Sequence, residues 1–248
     1  MVKEDKQKTE AKQEEEKTEK KKKVKKIGET ESEEKKKEKK KEKIEEEIKK
    51  KAEKKYLVDL SLYLATKIYV GHKIIMPDMR QYVFKRKADG VAVFNMDLID
   101  LKLREAIDYI SKFNEKDIIV VGKKPVCWNA IEKFSYFTGI KAFKKYPPGI
   151  LTNPQLSNFI EPKLVIIVDP IADKNALHDA NIARIPVLAL CNTNHHTKGI
   201  DFVLPVNNKD EQALNLVFYI LASGYLKSRG IDKTIKVSDF VEINEENK

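Results

Sequence analysis

Residues 43–230 predict a parallel, doubly wound α/β domain, set between a charged tail over residues 1–42 and a C-terminal tail over 231–248. Short β-rich runs alternate with helical patterns along that stretch, the order in which strand–helix–strand units build a parallel sheet. Three of the runs, Ile118-Ile119-Val120-Val121, Leu164-Val165-Ile166-Ile167-Val168 and Val187-Leu188-Ala189-Leu190, are apolar on both faces. Strands covered by helices on both sides must read that way. About 190 residues is also a comfortable size for a single core.

The elements follow in order. An apolar stripe at Leu57, Leu60, Leu64 and Ile68, stopped by Gly71, predicts a helix over 54–70 that docks on the domain. Strands are expected at 81–85 and 91–94. Residues 98–113 place apolar side chains at 99, 103, 106, 107, 110 and 113, and Asp97 is positioned to cap that helix. A strand at 118–121 precedes a helix over 126–138 built on Cys127, Ala130, Ile131, Phe134 and Phe137. Strands at 164–168 and 187–191 flank a helix over 174–183, which uses Ala176, Ala180 and Ala183. A short strand at 202–204 leads to a last helix over 210–228, and Gly230 ends it.

The tail is a different kind of polymer. Residues 1–55 hold 23 Lys and 17 Asp/Glu but only eight apolar side chains. Such a stretch cannot bury enough surface to offset its ordering entropy, so residues 1–42 are expected to be disordered or loosely helical. Glu45, Glu46 and Glu47 precede Lys49, Lys50 and Lys51 by four residues each. That spacing adds about 0.2–0.5 kcal/mol per pair and extends helical character backward from the domain.

The chain as a whole carries 49 Lys+Arg against 39 Asp+Glu, a net +10. Basic bias points to a polyanionic partner, most economically nucleic acid, and the tail's lysine blocks could track phosphates. No run of roughly 18 apolar residues is present to span a membrane. The N-terminus lacks an apolar secretory region, so a cytoplasmic location is expected. Cys127 and Cys191 are too few for a disulfide scaffold or a zinc cluster and read as small core residues.

The motifs of the obvious α/β enzymes are missing. There is no G-x-G-x-x-G and no G-x-x-x-x-G-K-[ST], so neither phosphate cradle is built and no cofactor or small-molecule substrate is expected. Gly122-Lys123-Lys124 follows a strand, but Pro125 comes next and the single Gly makes it a basic strand-end turn. Asp169 and Asp173 read as helix N-caps beside Pro170. Adjacent His195 and His196 diverge, are poor joint metal ligands and are expected in a polar loop, while His72 and His178 stand alone.

One set of blocks is more specific. Pro148-Gly149-Ile150-Leu151-Thr152-Asn153-Pro154 is followed by Phe159-Ile160-Glu161-Pro162, then Asp169-Pro170, then Ile185-Pro186-Val187-Leu188-Ala189-Leu190-Cys191-Asn192-Thr193. Leu204-Pro205-Val206-Asn207-Asn208-Lys209 comes next, and Gly71-His72, Asp89-Gly90 and Leu226-Lys227-Ser228-Arg229-Gly230 fit the same order. Over residues 54–230 the sequence resembles the family of the second protein of the small ribosomal subunit, in its archaeal and eukaryotic form. Bacterial members carry a coiled-coil insertion, whereas only ten residues separate Asn153 from Leu164 here. The resemblance implies a Rossmann-like sheet without catalysis, bound to small-subunit RNA and neighbouring proteins at the head–body junction. The sequence departs from the family at Lys144-Lys145, where an Arg-bearing turn is usual, at Ile150 in place of Thr, and at Asn192 in place of Asp. A Rossmann-type nucleotide-binding protein or enzyme is the alternative.

Residue chemistry supplies the RNA-contact candidates. Gly149 permits φ > 0 and Pro147-Pro148 stiffen the approach, so a rigid turn presents Lys144 and Lys145. Lys73, Arg80, Lys85, Arg86, Lys87, Lys123 and Lys124 are the other basic candidates at exposed ends of elements. Arg80 and Arg86 flank Tyr82 and Phe84, which would place guanidinium and aromatic groups on one surface.

Overall fold

A computed structural model describes residues 56–231 and 235–241. The charged tail expected over 1–42 and the Glu–Lys pairs of 45–51 lie outside the described residues.

Two short strands, β1 (Val83–Arg86) and β2 (Ala92–Phe94), pair antiparallel in a sheet of their own. The few residues between them are too short for a parallel crossover, which needs a dozen or more. Five further strands are β3 (Ile118–Val121), β4 (Lys141–Phe143), β5 (Leu164–Ile167), β6 (Val187–Cys191) and β7 (Phe202–Pro205). All pair in parallel in the order β4-β3-β5-β6-β7. Every residue of β3, β5 and β6 is buried, as their two-faced apolar runs required. Edge strand β4 was not expected. It has three residues, and the exposed Lys141 hides its pattern.

The described helices are α1 (Leu60–Ala65), α2 (Met96–Ile110), α3 (Trp128–Thr138), α4 (Lys174–Ile182) and α5 (Glu211–Ser228). α5 packs against both α2 and α3, whereas α4 packs on β5 and β6. Strand order runs outward in both directions from β3 and β5, so right-handed crossovers put α3 and α4 on opposite faces. Asn95, not Asp97, caps α2, and its side chain accepts the Asp97 N–H at 3.1 Å. Asp97 instead takes the Tyr56 hydroxyl at 2.8 Å.

The helix expected over 54–70 is shorter and turned the other way. α1 gives way at Thr66, and Lys67 lies in the left-handed region at φ 53. Tyr63 is buried and its hydroxyl donates to the Asp100 carboxylate at 3.1 Å. That bond sets the helix's rotation, leaving Leu60 43% and Leu64 50% exposed while Ile68 enters the core. Beyond Gly230, Ile235, Phe240 and Val241 are also buried, and the Phe240 ring stacks on Phe137 at 5.6 Å.

Candidate nucleic-acid interface

Parallel strands end on the same side of their sheet, so the residues that follow them share one rim. Gly122-Lys123-Lys124 leaves β3, Lys144-Lys145 leaves β4, and Asp169 stands just past β5. Asn192-Thr193 leaves β6, and Asn207-Asn208-Lys209 stands just past β7. Strand order reverses between β3 and β5, the place where open α/β sheets usually take a ligand.

Here that crevice is closed by the protein's own side chains. The Lys124 ammonium reaches from the end of β3 to pair with the Asp169 carboxylate at the end of β5. Cys127 donates its thiol to the Lys124 carbonyl at 2.9 Å, and a Cβ on Gly122 would stand only 2.5 Å from that sulfur. Gly122 is therefore needed for packing rather than to admit a phosphate. Burial pushes the Cys127 thiol up to about 12, so it is not a thiolate at neutral pH.

Asp169 is the hub of the rim. It is 1% exposed, and its Oδ1 accepts the Ile171 and Ala172 N–H groups at 2.9 and 3.2 Å, capping the turn that leads to α4. The same oxygen lies 3.2 Å from His195 Nε2. His195 Nδ1 accepts the Asn192 N–H at 2.7 Å, so the ring hydrogen sits on Nε2 and points at the carboxylate. Burial pushes Asp169 upward, but the His195 and Lys124 hydrogen bonds outweigh it and hold the carboxyl well below the usual carboxylate range. His195 lies in the polar loop expected for it but is buried there, unlike the exposed His196 beside it.

Asp173 occupies the N-cap position of α4 but makes no capping bond there. Its carboxylate accepts the Lys123 N–H at 3.1 Å, across to the β3 turn. Burial pushes this carboxyl up to about 6, the Lys123 N–H opposes the rise, and the Asp169 charge adds to it. Asn208 clamps the adjacent strand ends, donating its amide to the Val168 and Leu190 carbonyls at 3.2 and 3.3 Å.

The loop after β6 ties a distant segment to this rim. Thr193 Oγ1 accepts the His72 N–H at 2.7 Å, the Thr193 carbonyl accepts the Met76 N–H at 2.8 Å, and Asp78 takes the Thr197 hydroxyl at 3.0 Å. Lys73 is carried to the rim in this way. Burial lowers the His72 pKa, and the Lys209 and Lys73 charges lower it further, so both ammoniums share its neighbourhood. Lys209 was not among the expected contacts. It arrives because Asn207 bonds back to the Ile68 and Lys67 carbonyls, a pairing across 140 residues that no local motif announces.

Lys144 and Lys145 are exposed and stand ahead of the turn expected at Gly149. Gly149 adopts φ 84, and its N–H and the Tyr146 hydroxyl both donate to Asp179 on α4, at 2.9 and 2.8 Å. The Thr152 and Asn153 N–H groups return to the Gly149 carbonyl at 3.1 and 2.8 Å, so the turn is held from both sides. Lys144 pairs with Glu132 and lies 5.4 Å from the Trp128 ring centroid.

The remaining candidates stand on the hairpin or just before it. Arg80 lies in a 3-10 turn (Pro77–Tyr82), Lys85 and Arg86 on β1, and Lys87 just beyond, all exposed. Lys85 lies 5.9 Å from the ring of the exposed Phe84. Arg80 and Arg86 are both exposed, but of the two aromatic residues between them only Phe84 is, since Tyr82 is half-buried against the core. Of the nine expected basic contacts, only Lys124 and Lys144 are committed to ion pairs among the described residues. No group of three or more His, Cys, Asp or Glu among those residues is placed to hold a metal.

A Rossmann-like sheet whose ligand crevice is stitched shut, with lysines left facing solvent around it, defines a scaffold that presents charge. Comparison with known proteins agrees. The family described as ribosomal protein S2 matches residues 156–228. The chain is 44% identical over 185 residues to the small ribosomal subunit protein uS2 of Nanoarchaeum equitans, covering 73% of this chain and 92% of that protein. It is 35% identical over 190 residues to uS2 of Methanococcus maripaludis, covering 75% and 86%, and 31% identical over 185 residues to uS2 of Methanoregula boonei, covering 74% and 91%. The chain belongs to the ribosomal protein S2 family, in which it has a structural ribosomal role and is not an enzyme.

Proposed function

We propose that this protein binds small-subunit ribosomal RNA and neighbouring ribosomal proteins at the head–body junction, in the cytoplasm, and so supports subunit assembly and translation. The observation that carries the RNA reading is the rim itself. Lys123, Lys145, Lys73 and Lys209 are exposed without ion pairs among the described residues, on backbone fixed by bonds to the Asp173, Thr193 and Asp179 side chains. Charge held on rigid backbone loses less entropy on binding than charge on a loose arm. Contacts to phosphate and sugar suit such lysines and read RNA shape rather than base identity. The closed β3–β5 crevice weighs against the alternative of a nucleotide-binding enzyme.

Replacing Lys144 and Lys145 together with Ala is expected to weaken binding to a small-subunit RNA fragment across sequences. It should also flatten the slope of log K against log salt by about 1.4 to 1.8, since each phosphate contact contributes about 0.7 to 0.9. A salt titration by filter binding measures both, and an unchanged slope removes these two lysines from the interface.

A further inference from the structure

We propose that Trp128 is a stacking platform for an unpaired RNA base, set beside the lysine rim, so that this surface takes single-stranded RNA in preference to duplex. The inference rests on the RNA-binding reading above and adds a residue and a structural preference to it.

Trp128 is the chain's only tryptophan. It opens α3, two residues past the Lys124-Pro125-Val126 turn, and is 37% exposed rather than folded into the adjacent core that holds Cys127, Ala130 and Ile131. Its position is not left to chance. Lys144 lies over the indole at 5.4 Å while pairing with Glu132, one helical turn further along the same face. Lys144 comes from the end of β4 and Trp128 from the start of α3, so the ring is braced by a second element and needs little ordering on binding.

Charge chooses the occupant. Lys123 and Lys124 precede the indole in the chain, Lys144 covers it and Lys145 follows; Lys124 and Lys144 are paired with Asp169 and Glu132, which leaves Lys123 and Lys145 without ion pairs among the described residues. Glu211 stands next to Asn129, whose amide it accepts at 3.3 Å, on the α5 side. An apolar ring among lysines matches a ligand that alternates flat aromatic surface with negative charge, which describes single-stranded nucleic acid. Duplex RNA offers the same phosphates but keeps its base faces stacked and inaccessible.

The sole indole makes the test direct. The full chain is titrated with a uridine homopolymer, an adenosine homopolymer and an RNA duplex of equal length, following both affinity and tryptophan fluorescence. Both single strands should quench the fluorescence and the duplex should not. Trp128→Ala should bind the single strands about tenfold more weakly, the scale of one lost stacking contact, with duplex affinity and salt slope unchanged. Trp128→Phe should keep most of the affinity, and equal thermal melts for both variants would show that folding is intact. Single-strand binding that leaves fluorescence unchanged, or equal single-strand affinity in Trp128→Ala, would overturn the proposal while leaving RNA binding standing. Quenching by an acidic polypeptide but by no RNA would overturn it in favour of a protein partner. Failure to bind any of the three RNAs would overturn the RNA-binding reading as well.

Discussion

Asp169→Ala is expected to lower the free energy of unfolding by about 3–5 kcal/mol, the range for removing one member of a buried charged network. Four groups converge on this carboxylate: His195 Nε2, the Lys124 ammonium and the Ile171 and Ala172 N–H groups. Lys124 retains 38% side-chain exposure and can rehydrate, so most of the loss falls on His195, whose side chain is 2% exposed and would face an empty site. Asp169→Asn keeps an acceptor for the turn and the ring but removes the charge, and should cost roughly half as much. Urea unfolding at pH 7 separates the variants by their midpoints at constant m-value. A midpoint for Asp169→Ala within error of the parent would mean that the network does not hold the rim together. The same carboxyl predicts acid sensitivity. Its folded pKa lies below the unfolded value of 3.8, so its stabilisation is present above that pH and is lost as pH falls further.

Asp173 behaves in the opposite sense. Its carboxyl is raised from 3.8 to about 6, so between those values the folded protein holds a proton that the unfolded chain has released. Stability from this group is therefore full below pH 3.8 and declines as pH rises through about 6, by about 3 kcal/mol in all. Asp173→Asn keeps an oxygen for the Lys123 N–H and cannot ionise. It is expected to abolish the decline between pH 4 and 6.5 and to leave the variant more stable than the parent at pH 7 by up to about 3 kcal/mol. Denaturation curves at half-unit pH intervals test this. Parallel pH profiles for the two proteins would show that Asp173 titrates normally.

How legible these features are in the sequence depends on whether their cause is local. The runs at Ile118–Val121, Leu164–Ile167 and Val187–Cys191 announce central strands because burial on both faces leaves no polar position. Gly149's left-handed turn was legible too, since prolines and a Thr-Asn-Pro triplet restrict the backbone around it. Edge strand β4 was not, because three residues ending beside two lysines give no period to read. The stripe at Leu57, Leu60 and Leu64 misled for a different reason. One hydrogen bond from Tyr63 to Asp100, 37 residues away, decides which face of α1 turns inward.

The same distinction divides the interface. Lysines at strand ends can be picked from order alone, because parallel strands deliver their C-terminal residues to one side. What those lysines do there depends on partners from other elements. Lys124 closes the β3–β5 crevice on Asp169, Lys144 lies over Trp128, and Lys209 arrives beside His72. His195 reads as a polar loop residue beside His196, which it is, but nothing local shows that the Asp169 carboxylate, 26 positions earlier, is brought against its buried ring.

Sedimentation of a cell lysate through a sucrose gradient at moderate salt tests most directly whether this protein is an RNA-bound structural part of the small subunit. The protein should migrate with small subunits, remain there as salt is raised moderately, and move to the top of the gradient once the RNA is digested. A pool that stays at the top throughout, with no fraction in the subunit peak, would contradict the assignment.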